Sequence, residues 1–313
     1  MTLAFDPEIG AVLMAVMEMM EPPPLLPRGD WRGVRQQLDM VIPLMHAFMP
    51  VHDEVVRTDA ALPNGVRLRW YAPPGGVASP GPAVLYIHGG GMVGGSLDLY
   101  DRMVAHYAAL SAVPFLSVDY RLAPEHPHPA PVEDCLAGLL WLVEQAPRLG
   151  VDRARIAVMG DSAGGGLAAG VAHLARDRGI TLKRQILLYP MLDSRTVTPD
   201  PELGALATWT YDNNFTGWQA LLEEGFETRV PEAAAAPARA ENVSGLAPAY
   251  IDVGTLDIFC AEDVEYARRL MAAHVPVELH VHEGAPHGFE LLAPGAAVSG
   301  RAMADRVRVL RSL

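Results

Sequence analysis

Positive charge and cysteine are both scarce in this sequence. Among 313 residues, Lys and Arg number 24 against 37 Asp and Glu, and the formal net charge is −13. Because phosphate binding needs clustered Lys and Arg, this balance excludes a nucleic-acid surface and disfavours an anionic membrane patch. Cys135 and Cys260 are too few for a disulfide framework, which predicts a reducing compartment. The eleven histidines show no metal-ligand spacing, so no bound metal is expected.

A hydrophobic run long enough to cross a membrane is also missing. The longest early apolar run, IGAVLMAVM at 9–17, is far short of the roughly 20 residues that span a bilayer. No basic residue precedes this run, and Asp6 and Glu8 stand where a signal peptide carries positive charge. The sequence therefore predicts a cytoplasmic protein without a membrane span. A homodimer is left open.

Strand-like and helix-like segments alternate from about residue 66 onward. Several strand-like segments are almost continuously apolar, as expected when helices cover both faces of a mostly parallel sheet. The predicted strands are 66–73, 82–89, 113–120, 155–162, 184–190, 248–255 and 275–282, and the predicted helices are 97–111, 132–147, 163–178 and 261–274. This pattern indicates a doubly wound α/β domain, which we place at 46–313.

Two regions interrupt the alternation. Residues 1–45 are helical and rich in Met, and residues 194–240 are too long for an ordinary loop. The first region carries apolar residues at helical spacing: Leu13, Val16, Met17 and Met20. We expect 1–45 to form a helical cap over the carboxyl ends of the strands, and 194–240 to contribute to it.

Residues 88–94 form a glycine-rich loop, HGGGMVG, directly after an apolar run. Gly89, Gly91 and Gly94 satisfy G-x-G-x-x-G, the fingerprint of a dinucleotide site. The same loop suits an oxyanion hole, because bare glycine amides are able to approach a developing negative charge. The glycines alone leave both interpretations open.

A second glycine-rich turn carries a serine. Residues 155–168 read RIAVMGDSAGGGLA, in which Gly160, Ser162 and Gly164 match G-x-S-x-G between a predicted strand and a predicted helix. A sharp strand-to-helix turn holds such a serine above the sheet, and the residues two positions away must be small. Ser162 is therefore the candidate nucleophile.

A serine hydroxyl needs a base and an acid that orients the base. In an α/β-hydrolase these follow in the order Ser, acid, His, each after a later strand. Asp257 follows the predicted strand 248–255, and His287 follows the predicted strand 275–282. The competing carboxylates are Asp252 inside the strand and Glu262 and Asp263 at the start of the next helix.

With Ser162 as nucleophile, the loop at 88–94 is better interpreted as an oxyanion hole. The amides of Gly90, Gly91 and Ala163 are the natural donors. The dinucleotide interpretation leaves Ser162 unexplained, and its acidic partner, expected about 20 residues on, would have to be the more distant Asp119.

The sequence resembles the hormone-sensitive-lipase-like esterases (bacterial carboxylesterase family IV) of the α/β-hydrolase superfamily. The resemblance runs from about residue 66 onward and rests on HGGG (88–91), DYRLAPEHPHPA (119–130), GDSAGG (160–165), YPMLD (189–193), the loop at Asp257 and GAPHGF (284–289). It implies an α/β-hydrolase fold, a Ser162–His287–Asp257 triad and a helical cap built largely from the N-terminus. It also implies hydrolysis of short to medium acyl esters without a cofactor.

Three positions depart from the family pattern. Met92 stands where an aromatic residue is frequent, Gly166 where Asn is frequent, and Ala261 where a second Asp is usual. Met92 and Trp209 are the expected substrate-binding residues. Further candidates, which packing would explain equally well, are Met14, Met17, Trp31, Tyr211 and Phe215.

The sequence thus predicts a serine carboxylesterase that acts on a small-molecule ester. A lactone or amide hydrolase with the same triad is the alternative, and a ligand-binding receptor on this fold is a more distant one. In the loop 119–130, Arg121 and Glu125 are expected to pair and hold the loop beside the site.

Overall fold

The strands form one sheet whose interior is parallel. The computed structural model describes residues 3–19, 24–76 and 80–313; Met20 lies outside them. Within these residues the strands are β1 (Val56–Ala61), β2 (Arg67–Ala72), β3 (Gly81–Ile87), β4 (Phe115–Val118), β5 (Val151–Asp161), β6 (Arg184–Leu188), β7 (Ala249–Leu256) and β8 (Val277–Pro286). Their order is β1-β2-β4-β3-β5-β6-β7-β8. The pairs β1–β2 and β2–β4 are antiparallel and the others parallel, which confirms the predicted mostly parallel sheet.

Helices cover both faces of this sheet. The helices are α1 (Pro7–Met19), α2 (Trp31–His46), α3 (Asp101–Ser111), α4 (Ala130–Leu149), α5 (Ala163–Asp177), α6 (Pro201–Gly204), α7 (Tyr211–Leu222), α8 (Cys260–Ala272), α9 (Phe289–Leu292) and α10 (Ala297–Arg311). Within β3, Leu85 and Ile87 pack in the core that includes α4, α5 and α8, whereas Val84 and Tyr86 pack in the core that includes α3 and α10. Since successive side chains point to opposite faces, both sets must be apolar. This explains the continuous apolar runs.

The sequence did not predict β1. Its residues, VRTDAA, are mostly exposed and half of them are polar, because the strand lies at the edge of the sheet and, among the described strands, pairs only with β2. No residue of β1 is fully buried, so the continuous apolar run that marks the inner strands is absent.

The two N-terminal helices bury different amounts of apolar surface. Helix α1 packs through Ile9 against a small core that contains Phe289. This orientation leaves Met14 and Met17 about two-thirds exposed, at 66% and 65%. Neither methionine therefore packs in a core, and neither is among the described residues that line the cavity at Ser162.

Helix α2 lies over the glycine-rich loop after β3. Arg35 donates a hydrogen bond to the Val93 carbonyl of that loop and to the Ala123 carbonyl at 3.0 Å. Leu38 packs on the same loop, because a Cβ added to Gly94 would lie 2.8 Å from the Leu38 Cδ1. Helix α2, which belongs to the predicted cap region 1–45, thus contacts a loop at the carboxyl ends of the strands. No helix among the described residues is both long and apolar enough to cross a bilayer.

Two helical glycines should respond oppositely to the same substitution. In Gly170→Ala the new Cβ would lie 2.3 Å from the Ala234 carbonyl oxygen, whereas at Gly300 no atom lies within 4 Å. We expect Gly170→Ala to lower the free energy of unfolding by about 1–3 kcal/mol and Gly300→Ala to raise it by about 0.5–1 kcal/mol. Urea unfolding of the two variants beside the wild type measures both. Equal effects would contradict the close approach of α5 to residue 234.

Candidate active site

Ser162 occupies a strained turn between β5 and α5. Its φ of +54° lies in the left-handed region, which costs energy for any residue with a Cβ. A Cβ at Gly160 would lie 2.2 Å from the Gly164 carbonyl oxygen, and one at Gly164 would lie 2.1 Å from the Ile87 carbonyl oxygen. Both glycines are therefore required for the turn, as the spacing predicted.

The structure brings Ser162, His287 and Asp257 together. The His287 Nε2 lies 2.9 Å from the Ser162 Oγ, and the His287 Nδ1 lies 2.6 Å from the Asp257 Oδ2. Asp257 is buried, and its other oxygen accepts a hydrogen bond from the Phe259 N–H at 3.0 Å. This leaves the imidazole between a hydroxyl and a fixed carboxylate, the arrangement that a base for serine needs.

The competing carboxylates have other partners or positions. Asp252 accepts two hydrogen bonds from Arg306. Glu262 accepts from the N–H groups of Leu192 and Asp193 and from the Thr196 hydroxyl. Asp263 is fully buried, and burial raises the pKa of its carboxyl well above the ordinary value. Asp257 is the carboxylate that is hydrogen-bonded to His287.

The glycine-rich loop presents amides beside Ser162. Gly90 and Gly91 have positive φ values of +116° and +60°, and both line the cavity that contains Ser162. Within the described residues neither N–H donates to a protein acceptor. Ala163 is the first residue of α5, where an N–H group has no partner within the helix. These three amides are able to bind an oxyanion.

His88 is buried in the core and contacts the glycine-rich loop. Its ring stacks on Tyr120 at 4.2 Å, and its Nδ1 lies 2.8 Å from the Gly89 carbonyl oxygen. Burial lowers the pKa of His88 to about 4, although the contact with this carbonyl raises it in part. His88 is therefore neutral near pH 7 and holds the loop without adding charge.

The cavity above Ser162 is small and its walls are largely apolar. Its volume is about 140 Å³. Its lining residues outside the loops at 88–94 and 160–164 include Leu38, Val41, Met45, Tyr189, Trp209 and Leu291. The spacing of 38, 41 and 45 on α2 is a helical stripe, a signal that would have identified these residues from the sequence.

Trp209 lies at the predicted place, whereas Met92 does not. A Cβ added to Gly91 would lie 2.6 Å from the Trp209 Cη2, so the indole covers the loop. Met92 is completely buried, with φ +65°. That turn directs its side chain toward α5, where its Cε lies 3.6 Å from a Cβ added to Gly166. The prediction of Met92 as a substrate-binding residue is corrected accordingly. Trp31, Tyr211 and Phe215 are not among the described lining residues either.

The predicted pair of Arg121 and Glu125 does not form. Arg121 donates to Asp134 of α4 at 2.7 and 2.9 Å. Glu125 instead receives two hydrogen bonds from Arg35 of α2, at 2.7 and 2.8 Å. Each partner comes from a different helix, so spacing within the loop did not reveal it. The loop is held beside the site through α2 and α4.

Asp161 is a buried carboxylate that the sequence did not single out. It accepts hydrogen bonds from the hydroxyls of Tyr86 and Tyr100, at 2.7 and 3.1 Å, and from the Gly89 N–H at 3.2 Å. Burial raises its pKa from 3.8 to about 6, and the two tyrosine hydroxyls limit the rise. The residue before the serine thus fixes the glycine-rich loop to β5.

A family model described as an alpha/beta hydrolase fold matches residues 84–291. The chain belongs to this α/β-hydrolase family. It is 39% identical over 255 residues to the esterase LipI of Mycobacterium tuberculosis, with 77% of each chain covered. It is 37% identical over 271 residues to the carboxylesterase NlhH of the same species, covering 84% of this chain and 83% of the relative.

A solved structure of a bacterial heroin esterase superposes with a TM-score of 0.86 at 36% identity, covering 99% of this chain and 98% of the other. The family match and these relatives confirm the resemblance and the predicted class, a carboxylesterase of the hormone-sensitive-lipase-like α/β-hydrolases.

The carboxyl of Asp161 should show in the pH dependence of stability. Because its folded pKa of about 6 exceeds the ordinary 3.8, the Asp161 carboxyl lowers the stability of the wild type as pH rises between these values, and Asp161→Asn lacks this contribution. The free energy of unfolding of the variant relative to the wild type should rise across this window by at most about 3 kcal/mol, measured by urea unfolding at several pH values.

Asp59→Asn is the matched control. A hydrogen bond from Arg69 lowers the pKa of Asp59, so the wild type loses this contribution as pH falls, and the relative stability of that variant should rise in acid instead. A flat difference for Asp161→Asn between pH 4 and 7 would show that its carboxyl is not a group of raised pKa.

Proposed function

We propose that Ser162, His287 and Asp257 are the catalytic triad of this carboxylesterase. The observation that supports it most directly is the continuous contact from Ser162 Oγ through His287 to Asp257, over 2.9 and 2.6 Å. Ser162 Oγ attacks the acyl carbon while His287 Nε2 accepts its proton. Asp257 orients the ring and stabilises the imidazolium that forms.

The carbonyl oxygen of the ester becomes negative in this step, and the amides of Gly90, Gly91 and Ala163 are its proposed donors. Each such preorganised donor is worth about 10²–10³-fold in rate. His287 then returns the proton to the departing alcohol, which leaves an acyl-enzyme. A water loses its proton to His287, attacks the acyl carbon and releases the acid, and Ser162 regains its proton.

The N-terminal helices are proposed as a cap that sets the size of the acyl group. Leu38, Val41 and Met45 of α2 line the cavity, and Arg35 holds the helix by its two hydrogen bonds to Glu125. The cavity, with a volume of about 140 Å³, has room for a short acyl chain. We therefore place the preference at the short end of the range of about two to eight carbons.

Two further properties stay proposals. A cytoplasmic location agrees with Cys135 and Cys260, which are both free, and fractionation of the source cells tests it. A homodimer is tested by light scattering of the purified protein. Lactones and amides would use the same groups, and no observed contact favours them over esters.

Substitutions in the proposed triad should lower turnover by several orders of magnitude without unfolding the protein. Ser162→Ala should leave only the residual catalysis that binding and the oxyanion hole supply, and Asp257→Asn should lower kcat by roughly 10⁴-fold, because an amide favours the wrong tautomer of His287. Hydrolysis of p-nitrophenyl acetate at pH 7.5 measures both effects.

Asp263→Asn is the control for Asp257→Asn. Asp263 is equally buried and lies on the same segment, and within the described residues its side chain has no hydrogen-bond partner. Its variant should retain wild-type turnover. A larger loss in Asp263→Asn than in Asp257→Asn would remove Asp257 from the triad.

The acyl chain-length profile should depend on the wall formed by α2. Met45→Ala enlarges the cavity, so the ratio of kcat/KM for the hexanoate to that for the acetate should rise about tenfold or more. Met40→Ala is the control, because Met40 lies on the same helix but is 55% exposed. Unchanged profiles in both variants, measured with p-nitrophenyl esters of graded length, would mean that α2 does not bound the acyl site.

A further inference from the structure

A fully buried arginine lies behind the candidate active site. Arg306 of α10 has no exposed surface and donates to both oxygens of Asp252 on β7, at 2.7 and 2.9 Å. It also donates to the Glu290 Oε1 of α9 at 2.6 Å. One cation thus connects two carboxylates from different elements, which gives the cluster a formal charge of −1.

Tyr189 links this cluster to the proposed base. Its hydroxyl donates to the Glu290 Oε1 at 2.6 Å, and its ring meets the His287 ring edge to face, with centroids 4.8 Å apart. The guanidinium of Arg306 lies 5.6 Å from the centre of the same tyrosine ring. The Tyr189 ring, which contacts the imidazole, is therefore held in place by the ion pair of Arg306 and Glu290.

The backbone around Tyr189 also contacts the nucleophile. The Ser162 N–H donates to the Leu188 carbonyl at 2.9 Å, and the Met191 N–H donates to the Ser162 carbonyl at 2.9 Å. Tyr189 itself has φ +34°, an unfavourable value for a residue with a large side chain. One strained segment thus holds Ser162 through its main chain and His287 through its side chain.

Stability alone does not account for this arrangement. A buried ion pair often contributes no more than well-packed apolar side chains of the same volume, and strained backbone tends to occur where geometry serves a function. A structural role would be served by contacts anywhere in the core. Here Glu290 and Arg306 instead both contact Tyr189, whose ring touches the imidazole.

We propose that Tyr189, Glu290 and Arg306 are positioning residues that hold the imidazole of His287 in line with Ser162. Arg306 fixes Glu290, Glu290 fixes the hydroxyl of Tyr189, and the tyrosine ring limits rotation of the imidazole. The inference rests on the proposed role of His287 as base.

The ionisation of Glu290 agrees with this order of contacts. Burial alone would raise the pKa of its carboxyl, but Arg306 and the Tyr189 hydroxyl together hold it below its ordinary value. Glu290 is therefore a carboxylate at neutral pH and accepts both hydrogen bonds.

The test compares two tyrosine hydroxyls bound to the same buried cluster. Tyr189→Phe removes the bond to Glu290, and Tyr250→Phe removes a bond of 3.0 Å from the Tyr250 hydroxyl to Asp252. Both tyrosines are buried, but Tyr250 contacts the ring of His280 and not that of His287. Both variants should unfold at similarly lowered urea concentrations.

Activity should separate the two variants. We expect Tyr189→Phe to lower kcat about 10- to 100-fold, because small errors in the placement of a reacting group are costly, with KM unchanged since the ring stays in the cavity wall. Tyr250→Phe should keep the wild-type kcat. Equal kcat values in the two variants would overturn the proposal.

A spectroscopic measurement tests the positioning of His287 independently of turnover. The proton between His287 Nδ1 and Asp257 should give a far-downfield proton resonance, which should shift or broaden in Tyr189→Phe and stay in place in Tyr250→Phe. An unchanged signal in Tyr189→Phe would contradict positioning. If the wild type hydrolysed no ester, the proposed function would fail, whereas this comparison would still decide whether Tyr189 orients the imidazole.

Glu290→Gln completes a double-mutant cycle with Tyr189→Phe. If the two residues act through one contact, the double variant should lose no more kcat than the more impaired single variant. Multiplicative losses would show that they act on His287 separately, which would overturn the sequence of contacts from Arg306 to the imidazole.

Discussion

The backbone of Ser162 is the constraint on which the rest of the site depends. A positive φ at a residue with a side chain is tolerated only where the surroundings enforce it, and here the Gly160–Gly164 approach leaves no room for another path. The turn places the hydroxyl above the central strand β5 and directs the start of α5 at the same point. The strand order then determines which loops reach it: β3, next to β5, brings the glycine-rich loop, and β7 and β8, farther along the sheet, bring Asp257 and His287.

Buried ionisable groups surround this turn on several sides. Asp161 is hydrogen-bonded to the glycine-rich loop, and Asp257 to the His287 imidazole. Glu290 is hydrogen-bonded to Tyr189, whose ring contacts that imidazole. Desolvation makes such groups costly unless they are paired. Their partners come from β3, from the segments that follow β6 and β8, and from α10, so the electrostatic surroundings of the site are built from several elements.

The sequence predicted the features that depend on residues close together in the chain, and missed those that depend on distant partners. Local spacing identified the strained serine, the glycine-rich loop and the inner strands, because sterics and burial on two faces act over a few residues. The position of Met92 was not predictable from its neighbours, since a positive φ turns its side chain into the core. The partner of Glu125 was missed because Arg35 lies 90 residues away in the chain. Strand β1 was missed because an exposed edge carries no apolar pattern.

One part of the cavity wall comes from a different region of the chain than the proposed triad. Leu38, Val41 and Met45 belong to a helix that precedes the first strand, whereas the serine, the imidazole and the carboxylate follow β5, β8 and β7. The proposed triad has no residue in that helix, so mutations there are able to alter the proposed acyl site without replacing a group of the triad. Substrate range and reaction chemistry are therefore free to diverge separately during evolution, and relatives that share the same reacting groups need not share substrates.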